Sequence, residues 1–371
     1  MSLFEVKGWN LKSKEVKVVK PEKKVKNKKK RTTNKVTKPT GNLQDKKKKL
    51  KSEKDGNDVV EAEADVGVDA DVDVDVDAGA SEMSNSKLTP LQKKMMAKLS
   101  GSRFRWINEQ FYTISSEDAL KLVQEQPSLF DEYHKGFRSQ VQSWPENPVD
   151  VFFSQIKTRT QKPVNAPGGL PGLPNKQVVI ADMGCGEAQL SLDISNFLKT
   201  KNKKQQQGNR HKRLDIIVHS FDLKKTNNRV TVADIRNVPL QDGSCSIVIF
   251  CLALMGTNFL DFIKEAYRLL TPRGELWISE IKSRFQDQKV QDFIDSLKLF
   301  GFHFRSSDDS NKMFIKFEFF KPLVPTDYSK APPKQKTKFI ELETEKESLE
   351  KRRKEQPEGQ WLLKPCIYKR R

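Results

Sequence analysis

Cysteine is scarce in this 371-residue chain: four residues, at positions 185, 245, 251 and 366, with no pair at metal-ligand spacing. The four histidines are equally scattered, so the sequence predicts no metal site, no disulfide framework and a reducing compartment. Long apolar runs are missing too. None approaches the roughly 18 residues of a membrane span, and the opening Met-Ser-Leu-Phe-Glu-Val-Lys lacks the apolar core of a signal peptide. Neither secretion nor contact with a membrane is expected.

Basic residues are absent where acids are densest. Residues 55–85 hold 11 acids and no Lys or Arg, in a chain with 68 Lys+Arg, 49 Asp+Glu and a net charge of +19. Residues 1–54 carry 20 basic against 5 acidic side chains, and residues 86–371 a further surplus of 15. Such a polycation predicts nucleic acid as partner, bound through counterion release and weakened by salt. Residues 1–86 lack the apolar content for a core and read as a disordered arm, basic and then acidic. Its runs Lys28–Arg31 and Lys46–Lys49 are similar to nuclear and nucleolar retention signals. The Asp-Val alternation from Asp65 to Asp77 has the period of a strand but no neighbouring strands, and reads as a solvated acidic spacer.

What is present in the second half is an alternation of apolar runs and helical periods. Val178–Met183 runs into Gly184-Cys-Gly186, a buried strand turning sharply at its carboxyl end, where open α/β sheets bind ligands. The third small residue of a dinucleotide fingerprint is missing, because position 189 is Gln189. Asp182 at the strand end suits a ligand with an ammonium group and an adenosine, such as S-adenosylmethionine. A second strand, Leu214–Phe221, ends in Asp222, placed to hold ribose hydroxyls. Asp222 lies 36 residues past Gly186 rather than about 20. The polar stretch Lys199–Arg213 is read as a surface insertion that accounts for the excess. Val230–Ala233 leads to Asp234 and Ile235, an acid for the adenine amino group and an apolar side chain for its ring; the alternative for Asp234 is a turn or helix cap.

Ser246–Cys251 is a fourth strand, and Leu252–Asn258 the loop beyond it, where a methyl acceptor is presented. A helix over Phe259–Leu270 stops at Thr271-Pro-Arg-Gly274; a strand Glu275–Ile281, a helix Asp287–Phe300 and strands at Phe302–Arg305 and Lys312–Phe320 follow. Seven strands with intervening helices predict a doubly wound, Rossmann-like α/β domain over residues 178–322. Ahead of it, Thr89-Pro90, Ser115–Asp118 and Phe130–Val141 mark helices of a cap over residues 87–160, joined by a Pro/Gly linker at 161–177. In the cap Arg103, Arg105, Trp106, Phe111 and Tyr112 interleave cations with aromatics, either an RNA-contacting surface or a core stripe with exposed arginines. The extension 323–371 reads as a solvent-facing helix or a flexible excursion over Thr337–Glu355, then a tail docked through Trp361, Leu362 and Ile367.

Asp182-Met-Gly-Cys-Gly-Glu-Ala, Ser220-Phe-Asp-Leu, Val230-Thr-Val-Ala-Asp, the Phe250–Asn258 segment and Glu280-Ile-Lys-Ser-Arg-Phe together resemble the nucleolar ribosomal-RNA-processing, nucleomethylin-like methyltransferase family. Phe104-Arg-Trp-Ile-Asn-Glu-Gln-Phe-Tyr, Tyr133-His-Lys-Gly-Phe and the terminal Leu363–Arg371 extend the resemblance over residues 88–371. The resemblance implies a class I methyltransferase using S-adenosylmethionine, with cofactor contacts at His134, Gly184, Asp222, Asp234, Ile235 and Cys251; Asp182 and Gly186 join them from the turn itself. It also implies methylation of adenine N1 in large-subunit ribosomal RNA, pre-ribosomal partners and a nuclear, nucleolar location. A non-enzymatic alternative within the same resemblance is a cofactor-binding adapter for chromatin-silencing proteins.

The chemistry of the acceptor narrows the reaction. Adenine N1 presents an in-plane lone pair, so attack on a sulfonium methyl needs positioning rather than a general base. The Asp/Asn-Pro-Pro-aromatic segment of exocyclic amino methylation is lacking after the fourth strand, and Cys251 has neither the preceding proline nor the second cysteine of cytosine C5 chemistry. No catalytic residue is assigned. Asn258 is a candidate for positioning the base, with a helix N-cap as its equal alternative.

Overall fold

The structure, a computed structural model, describes residues 89–205, 214–285, 289–323 and 333–368. The charged arm expected over residues 1–86 lies outside them. Seven strands form one sheet: β1 (Val178–Met183), β2 (Ile216–Asp222), β3 (Val230–Val232), β4 (Cys245–Cys251), β5 (Leu270–Ile281), β6 (His303–Asp308) and β7 (Phe314–Phe320). Their order is β3-β2-β1-β4-β5-β7-β6, with β7 antiparallel to both neighbours and the other pairings parallel. The seven-stranded α/β architecture read from the sequence is the one observed. β1 and β4, at the centre, are apolar on both faces because helices cover both. Strand order reverses between them, and the crevice beyond their carboxyl ends is where such a sheet takes a ligand.

One face of the sheet is covered by α6 (Phe259–Leu269) and α7 (Lys289–Leu299), with Phe259, Ile263, Phe293 and Leu297 among the buried residues. The other face carries α4 (Pro148–Arg159) and α5 (Gln189–Gln205) through Phe152, Ile156, Leu190 and Ile194. The Phe152 ring stacks 6.0 Å from that of the fully buried Trp277. By these contacts α4 belongs to the sheet layer, although its sequence falls in the segment read as cap. At its start Asn147 accepts a hydrogen bond from Val149 N and Pro148 takes the first helical position. The segment 161–177 is packed rather than a free linker, because Leu170 is buried in the same layer and the Arg159 guanidinium grips Gly169 O at 2.6 Å.

Two other expectations are corrected. The polar stretch from Lys199 is not a separate insertion at its start, since α5 continues to Gln205; residues 206–213 lie outside the described ones. The helix before Thr271–Gly274 does stop, at Leu269, but the strand expected from Glu275 begins already at Leu270 and takes in those residues as an irregularity, with Cys245 paired to Leu270 and Ile247 to Glu275, and Arg273 at φ 67°.

The cap consists of α1 (Pro90–Thr113), α2 (Ser116–Glu125) and α3 (Pro127–Val141) around Ile107, Phe111, Val123, Leu129 and Phe130. A capping box between Thr89 and Gln92 starts α1, and Ser115 caps α2. α1 crosses α3 at Gly136, where any Cβ would stand 2.5 Å from Phe104. After the long, mostly exposed α8 (Pro333–Glu355), the short α9 (Glu358–Trp361) brings Trp361, Leu362 and Leu363 into the core. Ile367, expected to dock the tail, is 80 % exposed; Cys366 is buried in its place, its carbonyl accepting from Asn108 Nδ2 at 2.7 Å.

Candidate active site

The turn after β1 is shaped by its glycines. Gly184 and Gly186 have φ of 75° and 61°, and a Cβ on Gly184 would meet the Ala253 Cβ at 2.6 Å. Gly184 N donates to Phe221 O and Gly186 N donates to Asp222 Oδ2 at 2.6 Å, which locks the turn to the end of β2. The extra residues before β2 therefore do not displace Asp222.

A cavity of about 750 Å³ opens at these strand ends, within the range of small-molecule sites. Asp182, Gly184, Gly186, Asp222, Asp234, Ile235 and Cys251 all line it, as does His134 from the opposite side. Every cofactor-contact residue named from the sequence thus faces one space. Asp182 is buried and no donor among the described residues reaches its carboxyl, so burial, helped by the nearby Asp222, pushes it up to about 7. Burial raises Asp222 to about 6, against the pull of the Gly186 and Leu223 amides. Asp234 accepts from Ser116 Oγ at 2.9 Å and from Arg236 N. Burial also raises the Cys251 thiol well above its usual range, the reverse of what a nucleophile needs.

The cap closes the far side. His134 lies over the glycine turn, its Cε1 3.1 Å from where a Gly186 Cβ would be, and beside the Phe130 ring at 4.4 Å. Desolvation, with Arg138 adding to it, lowers its imidazole to about 4, so it is neutral at physiological pH. Ion pairs on either side, Lys224 to Asp131 at 2.6 Å and Arg138 to Glu187, fasten α3 to the loops after β2 and β1.

Asn258 does not line the cavity. Its Oδ1 accepts from Ser116 N at 3.0 Å and its Nδ2 donates to Ser116 Oγ and Asp261, so it anchors the start of α2. It does not cap α6 either, because Glu358 from the tail accepts from Leu260 N at 2.6 Å. Tyr112, expected at an RNA face, is 7 % exposed with the Arg284 guanidinium 4.9 Å over its ring; it is a core residue. Phe111 is likewise buried. Arg103 and Trp106 are exposed and stack at 4.7 Å, while Arg105 is half-buried. Three residues the motifs did not single out also matter. Ser116 bridges to Asp234, and Trp144 and Asp150 line the cavity.

The loop after β4 is held by a buried charge pair. Glu280 accepts from Leu254 N at 3.0 Å, and Arg284 donates to Leu254 O at 2.7 Å and to Lys364 O at 2.9 Å. The two side chains meet at 2.7 Å and each is 1 % exposed. Leu252, at φ 58°, starts this loop in the left-handed region that a leucine rarely adopts.

Strand-end carboxylates around a glycine turn, at the reversal of a sheet with an antiparallel β7, define an S-adenosylmethionine-dependent methyltransferase. The donor set fits that cofactor: an unpartnered buried acid for its ammonium, a second acid for vicinal hydroxyls, an acid and an apolar side chain for its adenine. The family described as hypothetical methyltransferase matches residues 90–338. The 25S rRNA (adenine(645)-N(1))-methyltransferase of Saccharomyces cerevisiae is 68% identical over 292 residues, 78% of this chain and 73% of that protein. The enzyme of that name from Schizosaccharomyces pombe is 41% identical over 78% of this chain and 75% of its own length. Ribosomal RNA-processing protein 8 of Mus musculus is 33% identical over 78% of this chain and 50% of its own length. The chain belongs to this family of methyltransferases, as the motifs from Phe104 to Leu363 led us to expect.

Proposed function

We propose that the protein methylates an adenine of large-subunit ribosomal RNA at N1 during ribosomal RNA processing. The observation that carries this reading is the cavity in which the strand-end acids meet an aromatic cap. The names of the fungal relatives, and identity of 68% to one of them, support the same acceptor. In this reading Asp182 receives the ammonium group, Asp222 the ribose hydroxyls, and Asp234 with Ile235 the adenine of the cofactor. Gly184 and Gly186 let the backbone approach, Cys251 packs beside the ligand, and neutral His134 covers it without repelling a cation.

When bound, S-adenosylmethionine supplies an electrophilic methyl on sulfur. That methyl would be taken up by the N1 lone pair of an adenine, with sulfur as the leaving group. The protein's part is to align the base, exclude water and hold this cationic process in the field of buried carboxylates. No side-chain base is required, in keeping with Asn258 being committed to Ser116.

Exposed Arg103 and Trp106, with Arg105, serve as RNA contacts outside the cavity, and the pre-ribosome is the natural partner of a chain at +19. We assign it to the nucleus and nucleolus on that charge and on the Lys28–Arg31 and Lys46–Lys49 runs. No feature of the described residues favours the chromatin-silencing adapter. The deciding experiment is mass mapping of modified nucleosides in ribosomal RNA from cells with the wild type or Asp182→Ala. Loss of one N1-methyladenosine in the variant is expected, and an unchanged level at every position would overturn the reading.

A further inference from the structure

The strand-end half of the cavity is committed to the cofactor, which leaves a second wall. It is formed by Phe137 and Val141 of α3, by Trp144 and Pro145 just after it, and by Leu252 and Met255 of the loop beyond β4. Phe137 and Trp144 meet edge to face, with ring centroids 6.4 Å apart at 83°. Trp144 packs with Leu252, Met255 and Tyr368 around the buried Tyr112, Ile281 and Cys366, so its ring is held from behind. Met255 is itself fixed by a hydrogen bond from the Tyr133 hydroxyl to its sulfur at 3.4 Å. Among the described residues the Trp144 indole N–H has no acceptor, although the side chain is half-buried. An indole normally finds a partner in such a place.

We propose that Trp144, backed by Phe137, is the stacking platform for the target base, an unpaired purine extruded from the RNA, and that Leu252 and Met255 bound the same slot. The inference rests on the reaction proposed above and adds the residues that receive its acceptor. A base drawn out of its stack loses aromatic contacts on both faces, and enzymes that modify bases restore them with aromatic and apolar side chains. A held tryptophan at the wall of a cavity that also reaches the strand ends answers that need. The free indole N–H adds a donor for a ring nitrogen or a phosphate oxygen.

The test uses the full chain, Trp144→Ala and Trp144→Phe, and an oligoribonucleotide spanning the N1-methyladenosine mapped in its own ribosomal RNA. We expect Trp144→Ala to bind S-adenosylmethionine as the wild type does while single-turnover methyl transfer falls about ten- to a hundredfold, the loss of one stacked base. Trp144→Phe, which keeps a ring, should recover most of the rate. With 2-aminopurine at the target position, its fluorescence should stay quenched on the wild type and rise on Trp144→Ala. Equal methylation by Trp144→Ala and the wild type would overturn the platform while leaving the reaction standing. Loss of cofactor affinity in Trp144→Ala to the same degree would also overturn it, by placing the residue in the cofactor wall. Wild-type protein that methylates no adenine would overturn both.

Discussion

The two walls of the cavity are built in opposite ways. On the strand-end wall each acid follows directly from the strand that carries it, and its backbone partners are the next turn of the sheet. The facing wall is assembled by contacts between residues far apart in the chain. Ser116 meets Asp234 across 118 positions, Glu358 meets Leu260 across 98, and Asn108 meets the Cys366 carbonyl across 258. The first wall keeps the Asp182 and Asp222 carboxyls buried without cationic partners, which costs stability and creates a binding site. The second pairs its buried charges, as Arg284 does with Glu280, and provides shape.

Breaking each wall should therefore have opposite consequences. Arg284→Met leaves Glu280 buried beside Tyr112 without its cation, and frees Leu254 O and Lys364 O together. Removing one partner of such a pair costs on the order of 3–5 kcal/mol. Denaturant unfolding should show a loss of that size and the largest effect of any substitution considered. Asp182→Ala should leave the midpoint unchanged or raise it, although it abolishes cofactor binding. Equal destabilisation by both variants would erase the distinction between the walls.

This difference also explains what could be read in advance. The strands, the glycine turn and the acids at 182, 222 and 234 were legible because apolar runs and their terminal acids are local patterns. Asn258 and Tyr112 were open to two readings because their roles depend on partners elsewhere. A helix cap looks vacant at Asn258 until Glu358 is seen to fill it, and an aromatic beside arginines looks like a stacking surface until Arg284 is seen over it. Ile367 and Cys366 alternate along the tail, and only the position of α1 decides which one is buried. Trp144 sits in a turn with no periodicity to mark it.

A finer probe of the strand-end wall is pH. Because Asp182 is raised to about 7 and must ionise to meet an ammonium group, cofactor affinity should climb about tenfold or more from pH 5 to pH 7. His134, lowered to about 4, stays neutral across that window and contributes little. The same shift runs the other way in stability. The folded Asp182 holds its proton where the unfolded one has released it, so the cofactor-free protein loses stability as pH rises from about 4 to 7 through this group. Titration calorimetry at several pH values against Asp182→Asn isolates the effect. A flat wild-type profile would show that the acid does not meet the cation.

The smallest effect is expected outside both walls, where the sequence offered one motif and the structure divides it. Tyr112 is enclosed under Arg284, whereas Arg103 lies over the exposed face of Trp106 and pairs with Glu132 at 2.9 Å, both side chains close to half exposed. An ion pair in that setting contributes little to folding, so Arg103→Ala should change stability by no more than about 0.5 kcal/mol. If the guanidinium contacts a phosphate, RNA affinity should weaken similarly for all sequences and the slope of log affinity against log salt should fall by about one. Filter binding of ribosomal RNA fragments across a salt series reads both quantities. An unchanged slope would assign Arg103 to the surface of the cap alone and leave RNA recognition to the cavity and the remaining cations.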